Sequence, residues 1–553
     1  MKRNYMFALL FLPILASAET LNICQGQITY KLSTDKVGEM PFSGNSSFSA
    51  MGKVYELKDG DRIYVDSSVI SSDIIVTFSD EQVMLEIPGD VASKIQSEID
   101  GTNVKITAGI PVSISVSGQC SQGQFALKAA EPANLTVKNL NISNDNDAAV
   151  SLTGTGKVCM KIEGENFLSS GVDSDKPTLR IKTPAELLGT GKMTVTAKAS
   201  GEKAIKSNDE LEISGGEIIA SVSGNAVYDS TDSKVKSSAC LASDKNLLIS
   251  GGTISATASG SGGKGISVDG NLTVNGGEIR VVTSGGMAVY SGSSLNHNYT
   301  GNTDRLNSDM KSSPKGIKVD GEILISGGDI NVKTSGNGAE GIESKTTLTI
   351  SAGNVFVQAY DDAINSSSHM YISGGNVTAI GQSNDGLDSN GNMYISGGIV
   401  RAFGSRSPEC GIDANEEGGY SVVFTGGTIL GVGGNNSVPS TSASTQPYLT
   451  SSISVSAGQT LTVKSGDDVL ATFEIPSEYN PSSSSWRPAP PAMMGPPPGG
   501  MPPMMGPGGW GGGPGGGGPG QNGGPVLISL PQLKKSSSYT ISNGTTNTTA
   551  TAK

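Results

Sequence analysis

Carboxylates recur at one fixed place in a repeated phrase of this chain. The stretch "AYDDAINSSSHMYISGG" (359–375) carries Asp361 and Asp362 side by side, and its copy "SNDGLDSNGNMYISGG" (383–398) carries Asp385 and Asp388. Carboxylates held close together repel one another unless a cation lies between them. Oxygen ligands of this kind favour a hard cation such as Ca²⁺ over zinc or copper.

Seven phrases align on an apolar residue that should point inward. They are "KAIKSN" (203), "KGISVD" (264), "KGIKVD" (315), "EGIESK" (340), "DAINSS" (362), "DGLDSN" (385) and "CGIDAN" (410). The residue after the central Ile or Leu should face outward, and the residue two before it should lie at a turn. Lysines occupy these two places in the earlier phrases and acids in the later ones. The outward column is Lys206, Ser267, Lys318, Glu343, Asn365, Asp388 and Asp413, and the turn column is Lys203, Lys264, Lys315, Glu340, Asp362 and Asp385.

This alignment predicts a calcium site. Equivalent residues on stacked strands lie about 4.8 Å apart, and two oxygens on opposite sides of a calcium ion are about 4.8 Å apart as well. The alternative is a solvated acidic face that holds no specific ion. The ligands predicted for one ion between coils are Asp361 or Asp362, Asp385, Asp388, and an amide oxygen of Asn365 or Asn384.

The elements that must position these residues are short strands in a repeating coil. The phrase "ISGG" or a near copy ends at glycines 216, 252, 277, 328, 353, 375, 398 and 427, with 22 to 25 residues in the shortest intervals. Apolar residues alternate with polar ones inside each unit, which is the period of a strand with one buried face. The pattern predicts an all-β, right-handed parallel β-helix, since parallel crossovers strongly prefer that hand.

The rest of the chain divides by composition. Basic residues, an apolar run and Ala16-Ser17-Ala18 predict a signal peptide over 1–18, and hence a secreted or cell-surface protein. Two polar excursions, 229–239 and 291–314, should leave the same corner of the coil. The remaining segments are an N-terminal cap with irregular first coils (19–130), the β-helix (131–450), terminal strands (451–480), a disordered Pro/Gly/Met-rich insert (481–525), and final strands with a tail (526–553).

Charge and cysteine content narrow the function classes. The net charge is −13, which disfavours nucleic acid and suits cations or neutral glycans. The five cysteines form no C-x-x-C pair, so we expect neither a disulfide framework nor a metal clip. No stretch is long enough for a membrane span.

Catalysis and glycan stacking remain open alternatives. "DDAI" is similar to the paired acids of pectin-cleaving β-helix hydrolases, but their N-T-D, G-H-G and R-I-K motifs do not occur in this chain. A lyase would need a base near calcium, for which Lys315, Lys318 and Lys345 are the candidates. Outward aromatic residues could stack on sugars or simply on each other; they are Tyr371 with Tyr394, and Tyr360 with Phe403.

From about residue 130 to 475 the chain resembles a family of secreted carbohydrate-binding domains with a polysaccharide-lyase-like, right-handed parallel β-helix. The phrases that carry the resemblance are "KAIKSNDELEISGG", "EGIESKTTLTISAG", the two copies quoted above and "CGIDANEEGGYSVVFTGG". The resemblance implies non-catalytic binding of cellulose or pectin-like polysaccharide, or of acidic sugars, with bound Ca²⁺. It implies calcium ligands among Asp361, Asp362, Asp385, Asp388 and Asp413, with Glu340 and Glu343 as further candidates.

Three functions follow from these observations. The preferred interpretation is a secreted, calcium-dependent polysaccharide binder that is not an enzyme. The first alternative is a polysaccharide lyase or pectin-type hydrolase on the same β-helix, and the second is a structural or adhesive surface protein.

Overall fold

Two or three strands make up each coil of this protein, because the second and third strands are continuous in some coils, as in Leu348–Ala359. The protein is described by a computed structural model over residues 19–37, 42–43, 47–301, 303, 306–481 and 525–553. The predicted signal peptide and residues 482–524 of the predicted insert lie outside the described residues. In one coil the strands are Ile364–Ser366, Met370–Ile372 and Asn376–Gly381. The side chains of Met370 and Ile372 are fully buried, whereas Tyr371 between them is partly exposed. This alternation places one apolar row inside the coil.

Paired glycines turn the chain between the second and third strands of a coil. Gly375 has a φ of +80°, and a Cβ there would lie 2.8 Å from the carbonyl oxygen of Gly353 in the coil before it. Glycine adopts this backbone conformation without steric cost. The corner glycines therefore stack directly on one another along the protein.

Parallel pairing of successive coils forms two long sheets and confirms the predicted all-β parallel β-helix. We call the sheet made of the first strands the ladder sheet. Its neighbours pair in parallel, apart from an antiparallel first pair. Its thirteen strands are Ile95–Asp100, Asn103–Ala108, Gln124–Ala129, Val150–Gly154, Leu179–Lys182, Lys203–Ser207, Ala239–Ser243, Lys264–Val268, Lys315–Val319, Glu340–Ser344, Ile364–Ser366, Leu387–Ser389 and Ile412–Ala414.

The second and third strands of the coils join a larger sheet with strands of both ends of the chain. Its 25 strands are Thr20–Gln25, Ile28–Ser33, Arg62–Asp66, Ile74–Phe78, Val83–Pro88, Val112–Cys120, Ala133–Asn144, Val158–Glu163, Glu165–Ser170, Ala185–Gly189, Lys192–Ala197, Leu211–Ile213, Glu217–Val222, Leu247–Ile249, Thr253–Ala258, Leu272–Val274, Glu278–Thr283, Ile323–Thr334, Leu348–Ala359, Met370–Ile372, Asn376–Gly381, Met393–Phe403, Val422–Val432, Tyr448–Ser451 and Val526–Ser529.

Smaller elements lie at the ends and in the excursions. The helices are the short Thr34–Val37 and Gly89–Ala92 and the 3-10 turns Ser308–Met310 and Glu416–Gly418. No helix of the described residues is both long and apolar enough to cross a membrane. The small sheets comprise Phe42–Ser43, Ser47–Ala50 and Lys53–Glu56; Val227–Asp229 and Lys234–Lys236; Ala288–Tyr290, Leu295–Asn296 and Lys311–Ser312; and Thr460–Ser465, Asp468–Glu474, Ser538–Ser542 and Asn547–Thr551.

The C-terminal strands cover part of the outer surface of the last coils. Val526–Ser529 pairs antiparallel with Val422–Val432 and with Tyr448–Ser451. A second apolar cluster forms beneath this cover and includes Ile380, Phe403 and Leu430. Side chains that point outward from the coils are therefore buried here.

All five cysteines are free thiols. Cys240 and Cys410 lie at ladder-sheet positions separated by six strand intervals, which is about 29 Å and far beyond disulfide reach.

Candidate functional site

Strand register places the predicted outward residues in one column on the ladder sheet. The pairs Lys318–Glu343, Glu343–Asn365, Asn365–Asp388 and Asp388–Asp413 are direct neighbours. The alignment from sequence missed one coil, because Ala242 of Ala239–Ser243 lies between Lys206 and Ser267. Its phrase, "ACLAS", lacks the charged residues that mark the others.

The turn column runs beside the outward column. Lys203, Ala239, Lys264, Lys315 and Glu340 are successive partners in register. Backbone hydrogen bonds continue the column through the loops, since Gly341 N donates to the Asp362 carbonyl and Ala363 N to that of Asp385. The acids of both columns thus lie on the outer surface of the last four strands of the ladder sheet.

Lysines neutralise the two glutamates at the start of the acidic region. The Lys315 ammonium contacts the Glu340 carboxylate and lies 3.1 Å from Glu343 Oε2. Lys345 contacts the other oxygen of Glu343. Burial favours the neutral form of Glu343, but the ammonium groups of Lys315 and Lys345 outweigh burial and lower its pKa to about 2. Glu340 and Glu343 therefore already have cationic partners within the chain.

Four aspartates further along the sheet have no such partner. Within the described residues no lysine or arginine forms an ion pair with Asp362, Asp385, Asp388 or Asp413, which we call the aspartate cluster. Asp385, Asp388 and Asp413 each place one carboxylate oxygen within 4.8 Å of the others. Asp362 and Asp385 are only 7% exposed. This group brings four acidic side chains together in a poorly hydrated place.

Burial and mutual repulsion both disfavour ionisation of the aspartate cluster. Burial is the larger effect and, with the neighbouring carboxylates, raises the pKa of Asp362 and of Asp385 well above the ordinary value. The same causes raise the pKa of Asp388 to about 8. For Asp413, burial outweighs the hydrogen bond from Ser437 and raises the pKa to about 6. A cation among these groups would remove the repulsion.

Hydrogen bonds orient the carboxylates of the aspartate cluster and leave some of their oxygens available to a cation. Asp362 Oδ1 accepts from Asp385 N at 3.1 Å, and Asp385 Oδ1 accepts from Cys410 N at 2.6 Å. Asn365 Nδ2 donates to Asp388 Oδ2 at 2.9 Å and to Asp362 Oδ2 at 3.3 Å.

One acceptor in this network is orphaned. The Asn365 Oδ1 atom is buried without a hydrogen-bond partner among the described residues. Carboxylates beside an unsatisfied amide oxygen are the donor set that Ca²⁺ prefers, so the residues present fit this ion. The other predicted amide ligand, Asn384, lies beside Asp361: burial raises the pKa of the Asp361 carboxyl, and the Asn384 side chain partly offsets this effect.

The predicted aromatic residues separate into two groups. Tyr371 and Tyr394 stack with ring centroids 5.1 Å apart and planes 7° apart, so that each ring covers one face of the other. His369 lies edge-on to Tyr371 and to Tyr420, with centroids 6.3 and 6.0 Å apart. The alignment had not marked His369 or Tyr420, because both lie in turns outside the strand pattern.

The prediction that Tyr360 and Phe403 form an outward column is wrong. Phe403 pairs with Ile380, which pairs with Gln358, two residues before Tyr360. Phe403 is fully buried and lies 5.3 Å from the Tyr479 ring, under the C-terminal cover. Tyr360 keeps 37% of its surface exposed.

Comparison with known proteins identifies the family. The family model for carbohydrate-binding domain-containing proteins matches residues 100–340 and 334–474. This chain belongs to that family. Among solved structures, a polysaccharide lyase-like protein from C. thermocellum, determined as a gadolinium derivative, matches at 16% identity over 58% of this chain and 96% of its own, with a TM-score of 0.29. No curated protein matches the chain.

Both excursions of this carbohydrate-binding domain leave the same corner, as the sequence predicted. Each connects a third strand to the next strand of the ladder sheet: one follows Glu217–Val222, and the other follows Glu278–Thr283. Tyr228, just before the first excursion, stacks on Tyr290, just before the second, with centroids 3.6 Å apart and planes 3° apart. The excursions thus support each other on the lysine-bearing side of the acidic region.

Proposed function

We propose that this protein binds polysaccharide without cleaving it and that Ca²⁺ held by the aspartate cluster takes part in binding. The observation that carries the proposal is the trio Asp385, Asp388 and Asp413, whose carboxylates converge within 4.8 Å without a lysine or arginine partner in the described part of the chain. Asp362 and the orphaned Asn365 Oδ1 would complete the oxygen donor set. When bound, the ion would supply a Lewis-acidic centre for hydroxyl or carboxylate oxygens of a sugar.

The lysines near the cluster support binding rather than elimination. Lys315 is held by Glu340 and Glu343, Lys318 by Asp320, and Lys345 by Glu343. An ion-paired ammonium is a poor base, because loss of its proton leaves the carboxylate unpaired. Lys264, whose pKa burial lowers to about 7, lies four strand intervals from Leu387–Ser389. That is about 19 Å, too far to reach a sugar bound at the aspartate cluster.

Export to the cell surface or the medium is part of the proposal. It rests on the signal peptide that the sequence predicts for residues 1–18.

Co-sedimentation with insoluble cellulose and with polygalacturonate, in millimolar calcium and then with chelator, tests this function. The purified protein should sediment with one of the glycans in calcium, stay in solution with chelator, and release neither unsaturated nor reducing ends. Release of unsaturated ends would establish a lyase instead. Equal sedimentation with and without calcium would remove the metal from the proposal.

A further inference from the structure

Beyond its first strand, Ile95–Asp100, which carries Glu98 and Asp100, the ladder sheet segregates charge. The eight strands from Asn103–Ala108 to Lys315–Val319 carry nine lysines and arginines and no acid, whereas the four strands that follow carry four acids and no base. The whole chain has a net charge of −13, so its composition does not explain a basic region of this length.

Apart from Lys315, which pairs with Glu340 and Glu343, the lysines nearest the acidic region form a second like-charge group. We call Lys203, Lys206, Lys264 and Lys318 the lysine cluster. Lys206 pairs with Asp244, and Lys318 pairs with Asp320 at 2.5 Å. Among the described residues, Lys203 and Lys264 form no ion pair with a carboxylate.

The ammonium groups of Lys203 and Lys264 donate hydrogen bonds only to neutral acceptors among the described residues. Lys203 Nζ donates to the Gly201 carbonyl, and Lys264 Nζ donates to Ser312 Oγ at 3.1 Å. Burial lowers the pKa of Lys203 and of Lys264, and the ammonium groups of Lys318, Lys315 and Lys203 add to the effect at Lys264. Lys264 lies one strand from Lys315 and two strands from Lys203, with Ala239 between them, which leaves repulsion between their ammonium groups. An anion at this place would relieve it, as a cation would relieve the aspartate cluster.

We propose that Lys203 and Lys264 form an anion subsite that binds an acidic group of the polysaccharide. This inference rests on the proposed function and extends it by naming polysaccharides with carboxylate groups as the ligand class. Lys264 and Asp388 lie on strands of one sheet face, four intervals or about 19 Å apart. A ligand that reaches both the lysine and the aspartate clusters is therefore an oligosaccharide rather than a single sugar.

Binding of polygalacturonate and of cellulose to the wild type and to a Lys203→Met/Lys264→Met variant tests the subsite. In calcium, the variant should lose at least about tenfold in affinity for polygalacturonate, since a hydrogen bond to a charged group contributes more than the free energy of a tenfold change. It should bind cellulose as the wild type does. Galacturonate monomer should not compete with the polymer, whereas longer oligogalacturonides should.

Two further variants keep the test interpretable. Lys128→Met removes an exposed lysine of the same sheet, three strands away from Lys203–Ser207, and should leave affinity unchanged. Lys264→Arg keeps the charge and should bind like the wild type, which separates loss of charge from loss of packing. Equal affinity of the wild type and the double-Met variant for polygalacturonate would overturn the subsite while the proposed function stands. Failure of the wild type to bind any polysaccharide in calcium would overturn the proposed function itself.

Discussion

The Asp388 carboxylate should destabilise the calcium-free protein and stabilise the calcium-bound protein. Its carboxylate faces Asp385 and Asp413 without an ion-pair partner in the described part of the chain. We expect Asp388→Asn to raise the melting temperature in chelator slightly, because repulsion is relieved. It should also remove most of the rise in melting temperature that calcium produces in the wild type. At a free calcium concentration 100 times Kd, one site adds about 2.7 kcal/mol to the free energy of unfolding.

The matched control for that variant is Asp329→Asn. Asp329 is exposed on the larger sheet, so this change should affect neither the apo nor the calcium-bound melting temperature. If millimolar Mg²⁺ stabilised the wild type as much as Ca²⁺ does, the cluster would be only a solvated acidic face.

Lys315 has the opposite role, because it is the cation that the chain itself supplies. Its ammonium is buried between Glu340 and Glu343. Lys315→Met should cost about 3–5 kcal/mol in the free energy of unfolding, since removing one partner leaves buried carboxylates uncompensated. Lys345→Met removes a half-exposed partner of the same Glu343 and should cost at most about 1 kcal/mol. Urea unfolding of both variants measures the difference, and equal losses would contradict this role of Lys315.

At the residue scale, alternation in the sequence predicts which way a side chain points but not what covers it or reaches it. The inward Ile and Leu residues placed Asp388 and Asp413 in one column, and register confirms it. The same reasoning placed Phe403 outside, yet strands that come later in the chain bury it. It also could not show that Lys315 reaches the glutamates of the next coil, because side-chain reach across strands leaves no periodic signal.

At the scale of elements, the glycine corners should limit which substitutions the coil tolerates. Gly375→Ala combines a positive φ with an approach of 2.8 Å to the Gly353 carbonyl oxygen. The unfavourable φ alone costs about 1–3 kcal/mol, and the overlap adds to it. Gly419→Ala has a similar φ of +83° but no atom within 4 Å of the new Cβ. Thermal unfolding should therefore show the larger loss for Gly375→Ala, and equal losses would mean that close stacking of the corners is unimportant.

Elements were predictable where the phrase repeats and not where it varies. The phrase "ISGG" predicts the position of a corner between strands, since glycine is the residue that adopts this turn without steric cost. The coil with Ala239–Ser243 was missed because its strand has neither the lysine nor the acid of its neighbours. The excursions were located from sequence because they lengthen the interval between glycine corners. The contact between Tyr228 and Tyr290, which come just before them, was not predicted, because these residues lie far apart in the chain.

At the scale of the whole molecule, stability should depend on pH in opposite ways with and without calcium. The pKa of Asp388 in the folded protein is raised to about 8 and that of Asp413 to about 6, whereas an aspartate in the unfolded chain titrates near 3.9. Between these values the folded state binds more protons than the unfolded state, so the free energy of unfolding falls as pH rises. In chelator, we expect the melting temperature to decrease steadily from about pH 4 to about pH 8 as a result.

Calcium should reverse this trend, because the ion binds the ionised carboxylates and competes with protons. Melting curves at several pH values between 5 and 8, in chelator and in saturating calcium, measure both slopes. The difference between the two curves should widen as pH rises, and Asp388→Asn should reduce both the slope in chelator and the widening. A melting temperature in chelator that rises with pH over this range would contradict the raised pKa values of the aspartate cluster, and parallel curves would mean that calcium binds elsewhere.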